Sequence, residues 1–327
     1  MHKSTFWYTQ SMKQKILVTG WAGFIGSNFL NIFVPQYPDI DFINIDLLTY
    51  AGDMSNIVIE VQSAQNYFFE KVDIRDIAAL ERIYTKYQPT DSIHFAAETH
   101  VDKSIENPCI FTETNVLGTQ NLLECHRKFQ LQRFHLISTD EVYGDIPDGG
   151  LFTEESLLRP SNPYSSSKAS SEMLVHAYAR TFWLNTVITR CSNNYWPHQD
   201  SSKLIPYFIQ LLRNNQPVTL YGDGSHIRDW LFVEDHCEAI WKVFCEAHKG
   251  AIYNIWGNNE RSNLEIARML IQMLWKTEDL ITFIEDRKWH DKRYALDASK
   301  LQSDLGWSPQ VSFSEGISCT IQYYLNH

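Results

Sequence analysis

The sequence predicts an α/β fold in which a doubly wound parallel sheet is followed by a smaller, mixed α/β C-terminal domain. Short apolar segments typical of buried strands alternate with helical segments through the first 190 residues, as such a sheet requires. A glycine-rich turn joins the first strand to the first helix. Beyond residue 190 this alternation weakens, which indicates a second unit of different architecture.

The individual elements follow from local patterns. Strands are predicted from short apolar runs at 15–19, 42–46, 67–72, 92–96, 134–137 and 187–190. Helices are predicted from apolar periodicity at 24–33, 77–87 and 114–129. A further helix at 162–182 has no glycine or proline beyond its first turn, where Asn162 suits the N-cap and Pro163 the first helical position.

Composition and charge exclude several classes of protein. The 327 residues carry a formal net charge of -11, which argues against nucleic acid as a partner. No run approaches the ~20 apolar residues of a membrane helix, so we expect no membrane partner and a cytoplasmic protein. The six cysteines form no CxxC pair, which suits reduced packing residues, and no metal site is predicted.

The glycine turn after the first strand predicts a dinucleotide site. Gly20, Gly23 and Gly26 let backbone N–H groups and a positive helix end approach a diphosphate. Asp46 ends the next strand, where a carboxylate accepts hydrogen bonds from ribose hydroxyls and repels a 2′-phosphate, so NAD is favoured over NADP. The other residues expected beside the cofactor are Phe24, Ile25, Asp73, Ile74, Ala96, Ala97, Tyr164 and Lys168.

Two further motifs supply reactive groups. Tyr164 and Lys168 are four residues apart on one helical face, where an ammonium group favours the phenolate that an alcohol oxidation needs as its base. Thr139 could hydrogen-bond the same substrate oxygen. Asp140 and Glu141 follow a buried strand, and two carboxylates whose pKa values are pushed apart can serve as acid and base.

With these residues in view, the chain resembles the extended short-chain dehydrogenase/reductase family and, within it, the dTDP-glucose 4,6-dehydratases. The resemblance extends from residue 15 onward and includes NIDLLTYAG, AAETHVDKSI, STDEVYG, YSSSK and YGDGSHIRDWLFVEDH. It implies that Tyr164 and NAD oxidise C4 of a sugar, Glu141 removes the C5 proton, and Asp140 protonates the leaving C6 oxygen. Hydride then returns to C6.

The same resemblance implies a nucleotide-sugar substrate and a homodimer joined through helices near 114–129 and 163–182. The residues that it places on the substrate are Thr99, Asn193, Lys203, Leu204, Tyr221, Arg228, Asn263, Arg287 and His290. The expected organisation is then a tail at 1–14, an NAD-binding Rossmann domain at 15–190, and a mainly substrate-binding domain at 191–327 with excursions back to the sheet.

Four positions depart from the usual pattern of that family. Trp196 and Trp289 stand where glycine is usual, Lys288 stands where proline is usual, and Thr219 stands where proline is common. We expect both tryptophans to line or cover the substrate site. These departures leave open a dehydratase for UDP-glucose or an N-acetylated sugar. An alternative of a different class is a dinucleotide-binding redox sensor without catalytic activity, but a sensor has no need of the complete set Tyr164, Lys168, Asp140 and Glu141.

Overall fold

The computed structural model describes residues 13–50, 52–146, 149–196, 198–286 and 291–326. Its centre is a seven-stranded sheet in which every neighbouring pair is parallel, in the order β10-β6-β5-β4-β1-β2-β3. The strands are β1 (Lys15–Thr19), β2 (Asp41–Asp46), β3 (Tyr67–Lys71), β4 (Asp91–His94), β5 (Arg133–Thr139), β6 (Thr186–Cys191), β7 (Asn193–Tyr195), β8 (Val218–Tyr221), β9 (Ile227–Phe232), β10 (Ile252–Ile255), β11 (Glu260–Ser262) and β12 (Ile281–Ile284). The predicted doubly wound, Rossmann-type fold is thereby confirmed.

Helices cover both faces of this sheet, which explains why its strands are apolar runs. The helices are α1 (Phe24–Gln36), α2 (Ile59–Gln62), α3 (Ile77–Tyr87), α4 (Val101–Glu106), α5 (Pro108–Phe111), α6 (Gly118–Lys128), α7 (Pro163–Thr181), α8 (Leu204–Arg213), α9 (Val233–Glu246), α10 (Asn263–Met273), α11 (Ser299–Leu305) and α12 (Phe313–Asn326). A π-helical turn occupies Thr112–Leu117, and 3₁₀ turns occupy Met54–Asn56, Asp140–Tyr143 and Glu278–Leu280.

Each face of the sheet has its own apolar core. On one face, Phe29 and Phe33 of α1 meet Trp241 of α9 with ring centroids 6.0 and 4.9 Å apart. On the other face, Leu80 of α3 and Leu122 of α6 are fully buried in a second cluster. Since both clusters press on the same strands, the carboxyl ends of those strands are held at one edge, where parallel sheets bind ligands.

The remaining strands form a smaller unit beside that edge. A three-stranded sheet has the order β11-β9-β7, and a two-stranded sheet pairs β12 with β8. Helices α8, α10 and α12 cover them around a third apolar cluster that includes Phe208, Ile266 and Ile317. The chain re-enters the large sheet between these pieces, because α9 packs on α1 and β10 pairs with β6.

Some boundaries differ from those predicted. The helix expected at 114–129 begins with the π-helical turn and becomes regular only at Gly118. Within that turn Asn115 donates its amide to Glu98 O and Ser167 Oγ, contacts with distant segments that local periodicity cannot reveal. The strand expected to reach residue 96 ends at His94. No helix in the described part of the chain is both long and apolar enough to cross a bilayer.

Candidate active site

A cavity of about 360 Å³ opens at the carboxyl edge of the large sheet. It is bordered by the ends of β1, β2, β4, β5 and β6, and by the start of α7. The predicted residues that line it are Gly20, Gly23, Phe24, Ile25, Asp46, Asp73, Ile74, Ala96, Ala97, Thr99, Thr139, Asp140, Glu141, Tyr164, Lys168, Asn193 and Lys203. The structure therefore brings the glycine turn, the reactive side chains and part of the predicted substrate set into one space.

The three glycines of the turn have different reasons to be glycine. Gly20 has φ +73°, and a Cβ there would lie 2.4 Å from the backbone of Ala96. A Cβ on Gly26 would lie 2.7 Å from Trp21 Cα, so this glycine serves close packing behind the cavity. Gly23 has no such conflict, because its nearest neighbour would be Gly20 O at 3.4 Å. Its bare backbone instead faces the cavity at the N-terminus of α1, where a diphosphate fits.

Asp46 is placed to select the ribose of a dinucleotide. Its carboxylate accepts from Ala22 N at 3.0 Å and Leu48 N at 2.7 Å, which orients it at the cavity wall. Burial raises the pKa of Asp46, and these backbone bonds oppose that rise. Together with the open face of Gly23, this acceptor gives a donor and acceptor set that fits NAD.

Arg75 also lines the cavity and was not anticipated from the sequence. Its guanidinium is held by Asp73, with Nη2 to Oδ2 at 2.6 Å, and by Glu113 at 3.2 Å. Because two carboxylates already engage it, Arg75 is poorly placed to receive a 2′-phosphate as well. A basic residue two positions after Asp73 was the only available signal.

Tyr164 and Lys168 project from the first turns of α7, which begins with the predicted Asn162 cap: Asn162 Oδ1 accepts from Ser165 N at 2.9 Å. Lys168 Nζ donates to Ile137 O at 2.8 Å, and burial lowers its pKa to about 8. Burial also raises the pKa of Tyr164 well above its ordinary value, and Glu141 adds to the rise. The lowering of the Tyr164 pKa expected from Lys168 is therefore absent in this structure, because burial of the phenol dominates.

Asp140 and Glu141 lie on the 3₁₀ turn that follows β5. Burial, with a contribution from the Glu141 charge, raises the pKa of Asp140 to about 8, so its carboxyl group is mostly protonated at neutral pH. Burial also raises the pKa of Glu141, but Arg228 and Lys203 hold it down. Thr139 Oγ1 accepts a hydrogen bond from the backbone N–H of Glu141 at 3.3 Å and donates to Asp140 Oδ1 at 3.1 Å, which ties the side chains of Thr139 and Asp140 to the backbone of the turn.

Only some of the residues predicted to bind the substrate line this cavity. Lys203 caps α8, so Leu204 directly follows a cavity residue as the first residue of that helix. Arg228 lies over the Tyr294 ring at 4.3 Å and donates to the carbonyl of Asp291 at 2.9 Å. Its charge acts on both Asp140 and Glu141.

Tyr221 and Asn263 lie farther out, at the end of β8 and the start of α10, and neither lines this cavity. Asn263 Oδ1 is buried and accepts no hydrogen bond from the residues that the structure describes. Such an acceptor is suited to a ligand donor. Arg287, Trp289 and His290 lie outside the described residues.

The structure places Trp196 in a packing role. Its ring meets Phe232 in an edge-to-face contact at 4.6 Å and packs against two apolar clusters, and it is absent from the cavity wall. Thr219 Oγ1 lies 3.2 Å from Thr282 Oγ1 across the two-stranded sheet. Neither departure from the usual sequence alters the part of the cavity that holds the reactive groups.

Sequence reasoning also missed two segments of the wall. Leu47, Thr49 and Gly52 follow β2, and Gln199 and Asp200 precede α8. A segment that directly follows a strand of a parallel sheet lies at the ligand edge, which was a usable signal for the first group. The second group comes from a loop whose approach depends on the fold of the smaller unit, so no local pattern marks it.

Comparison with known proteins agrees with this geometry. The family described as GDP-mannose 4,6 dehydratase matches residues 17–320. The dTDP-glucose 4,6-dehydratase of Neisseria meningitidis is 46% identical, with 96% of this chain and 94% of that protein covered. The Escherichia coli dTDP-glucose 4,6-dehydratase is 44% identical, with coverages of 96% and 94%.

Solved structures show the same likeness. DesIV, a dTDP-glucose 4,6-dehydratase from Streptomyces venezuelae solved with NAD bound, superposes with a TM-score of 0.92 at 43% identity, covering 96% of this chain and 98% of DesIV. The UDP-glucose 4-epimerase of Thermus thermophilus, in complex with NAD, superposes with a TM-score of 0.88 at 30% identity, covering 95% and 99%.

Proposed function

Because the chain belongs to the GDP-mannose 4,6 dehydratase family, we propose that it is an NAD-dependent dTDP-glucose 4,6-dehydratase, a hydro-lyase that forms the 4-keto-6-deoxy sugar. The observation that carries this proposal is the pair Asp140 and Glu141 in the same cavity as Tyr164 and the glycine turn. Alcohol oxidation alone needs only the tyrosine base. An additional acid and base are what the elimination of water requires.

The residues divide the reaction between them. When bound against Gly20 and Gly23, NAD supplies the hydride acceptor for C4 and the hydride donor for C6. Tyr164 takes the proton of the C4 hydroxyl, with Thr139 beside the same oxygen. Because burial raises the pKa of Tyr164, the phenolate that accepts this proton would need positive charge beside it, from the Lys168 ammonium, fixed on Ile137 O, and from the nicotinamide ring of bound NAD. Lys168 carries that charge at pH values below its own pKa of about 8.

Elimination then uses the two carboxyl groups. The C4 ketone acidifies the C5 hydrogen, which Glu141 removes as a proton. Asp140, protonated at neutral pH because of its raised pKa, gives its proton to the C6 hydroxyl group, and the C6–O bond breaks to release water. Glu141 returns a proton to C5 when C6 is reduced and is then ionised again. At that point Tyr164 still holds the proton of the C4 hydroxyl group and Asp140 lacks the proton that left with the water, so transfer of one proton from Tyr164 to Asp140 through solvent restores the starting state.

The nucleotide is proposed from the relatives. Those named dTDP-glucose 4,6-dehydratases share 43 to 46% identity over nearly the whole chain. Relatives named for UDP-glucose are epimerases at 27 and 30% identity. This difference favours dTDP-glucose over the UDP-glucose alternative, and the intact acid and base argue against a sensor without catalytic activity.

The test is direct. Purified protein is incubated with dTDP-glucose, UDP-glucose, GDP-mannose and UDP-N-acetylglucosamine, and each reaction is followed by mass spectrometry. We expect loss of one water from dTDP-glucose at a rate well above the others. Turnover of another nucleotide sugar alone would reassign the substrate, and a hydride transfer without water loss would remove the lyase assignment.

We also propose a homodimer that packs through the helices named in the sequence analysis. Exposed apolar side chains lie on neighbouring elements there: Ile105 is 56%, Leu117 44% and Met173 50% exposed. Because these elements pack on one another, the side chains belong to neighbouring surface, and contiguous exposed apolar surface favours protein contacts. Met173→Glu is expected to give a monomer in analytical ultracentrifugation, whereas Leu157→Glu, at an exposed position outside these helices, leaves the dimer intact. The division of the chain at residue 190 and a cytoplasmic location stay predictions.

A further inference from the structure

A buried ion pair lies directly behind the reactive residues. Glu172 of α7 and Arg190 of β6 are joined by three N–H···O contacts of 2.6 to 3.1 Å, and their side chains are 0% and 3% exposed. Removing two charges from water carries a large penalty, so a pair of this kind is weak evidence for stability. The role of the ion pair is therefore better judged from the segments that it holds in place.

The pair connects the segments that carry the reactive groups. Ser138, the residue before Thr139, donates its hydroxyl to Glu172 Oε1 at 2.5 Å. Arg190 Nη1 donates to Tyr143 OH at 2.6 Å, and Tyr143 ends the 3₁₀ turn that begins with Asp140. Tyr143 OH in turn donates to Asn254 Oδ1 at 2.8 Å.

Glu172 also continues the row of reactive residues along α7. It lies one helical turn beyond Lys168 and two turns beyond Tyr164, on the same face. A shift of α7 against β5 would therefore separate Tyr164 from Thr139, and the contacts of Glu172 with Ser138 and Arg190 oppose that shift. Glu172 and Arg190 do not line the cavity, and Ser138, which does, directs its hydroxyl group to Glu172.

We propose that Glu172, through Ser138 and Arg190, is a positioning residue that fixes the helix bearing Tyr164 and Lys168 against the strand end bearing Thr139, Asp140 and Glu141. This inference rests on the proposed function, because the two halves of the site that it aligns are those of the dehydration. A displacement of about 1 Å between reacting groups can cost about a hundred-fold in rate.

The first test is Glu172→Gln, which keeps the shape and removes the charge. We expect a fall in kcat of about ten- to a hundred-fold with little change in KM. Since Glu172 is the charged side chain that raises the Lys168 pKa, its loss should also move the alkaline limb of the kcat–pH profile to lower pH. The other titratable groups facing Lys168 in the described part of the chain are Tyr164, whose pKa burial raises well above its ordinary value, Cys191, with a pKa of about 12, and His94, with a pKa of about 3. All three stay neutral in that pH range.

A double variant tests the proposal in case Glu172→Gln, which leaves Arg190 without its carboxylate, does not fold. Glu172→Leu with Arg190→Met replaces both charges by apolar groups, a change that is often neutral for stability. We expect a folded protein whose kcat is still reduced. If neither of these variants folds, Tyr143→Phe is measured instead, because it deletes only the hydroxyl group that links Arg190 to Asn254. It should lower kcat about three- to ten-fold.

The control is Arg133→Met, at the opposite end of β5. Arg133 is also a guanidinium that ties a helix to the sheet, donating to Phe244 O and Ala247 O of the α9 end. It should lower the unfolding temperature and leave kcat and the pH profile unchanged. Arg133→Met thus separates loss of stability from loss of alignment.

A measurement independent of turnover keeps this inference separable from the proposed function. Amide hydrogen exchange should quicken in residues 163–172 and 140–143 of the double variant, and stay at the wild-type rate there in Arg133→Met. If the wild type turns over no nucleotide sugar, the exchange result still tests the alignment. A folded double variant with wild-type kcat and wild-type exchange in both segments would overturn the proposal.

Discussion

Asp140→Asn should abolish water elimination and at the same time stabilise the protein. In the folded state burial raises the pKa of Asp140 from 3.8 to about 8, so the native protein keeps a proton that the unfolded chain releases. The two pKa values differ by about 4 units, of which about 3 lie below neutral pH, so at pH 7 the mismatch costs at most about 4 kcal/mol of folding free energy. Asparagine carries no such penalty, because it is neutral in both states.

The stability difference between Asp140→Asn and the wild type depends on pH in a defined direction. Between pH values of about 4 and about 8 the folded state binds more protons than the unfolded state, so the stability of the wild type falls as pH rises. The advantage of Asp140→Asn should therefore be small near pH 4 and largest near pH 8. Urea unfolding of both proteins at several pH values, with NAD at one fixed saturating concentration, measures the difference.

The same variant is assayed for loss of water from the nucleotide sugar. We expect a reduction of about a hundred- to ten-thousand-fold, the usual effect of removing a general acid. Equal stability of the two proteins at every pH would show that the Asp140 carboxyl is not held protonated by the fold. Near-normal turnover would remove Asp140 from the role of acid.

Three further predictions follow from the same cavity. Tyr164→Phe should lower turnover by about a hundred- to ten-thousand-fold with an unchanged circular dichroism spectrum, because only the base is lost, and near-normal kcat would exclude Tyr164 as that base. Glu141→Gln should stop the uptake of solvent deuterium at C5, and deuterium uptake by the variant would point to another base. The activity of the wild type should fall as the pH drops through the raised pKa of Glu141, because the protonated carboxyl group cannot act as the base. Reconstitution of the apoprotein with NADP in place of NAD should give little activity because of Asp46, and Asp46→Ser should narrow that gap; equal activity of the wild type with both cofactors would contradict the assignment.

Local sequence patterns predicted the order of strands and helices because each pattern reflects burial on one or two faces. The cap at Asn162 and the glycine turn were predictable for the same reason, since their geometry depends on residues within a few positions. The aspartate at the end of β2 was predictable because strand ends in a parallel sheet meet at one edge.

Features that depend on distant contacts were not predictable. The pKa of Tyr164 is raised mainly by burial, which depends on how α7 packs, and is not lowered by the lysine four residues away. Trp196, which follows β7, contacts Phe232 at the end of β9, so the residues next to Trp196 in the sequence gave no sign of its packing role. Likewise Arg190 and Glu172 are 18 residues apart, and each alone looks like an ordinary charged residue.

The path by which the chain re-enters the large sheet limits how this enzyme can be recombined with its relatives. Helix α9 supplies Trp241 to the aromatic cluster on α1, and β10 completes the edge of the sheet beside β6. A chimera that exchanges everything after residue 190 would also exchange that helix and that edge, leaving each parent core with foreign partners. Grafts that aim to change sugar preference should instead retain 233–255 from the recipient and transplant the two flanking blocks together. Evolution on this scaffold is subject to the same restriction, since the two blocks pack around one apolar cluster but are separated in the sequence.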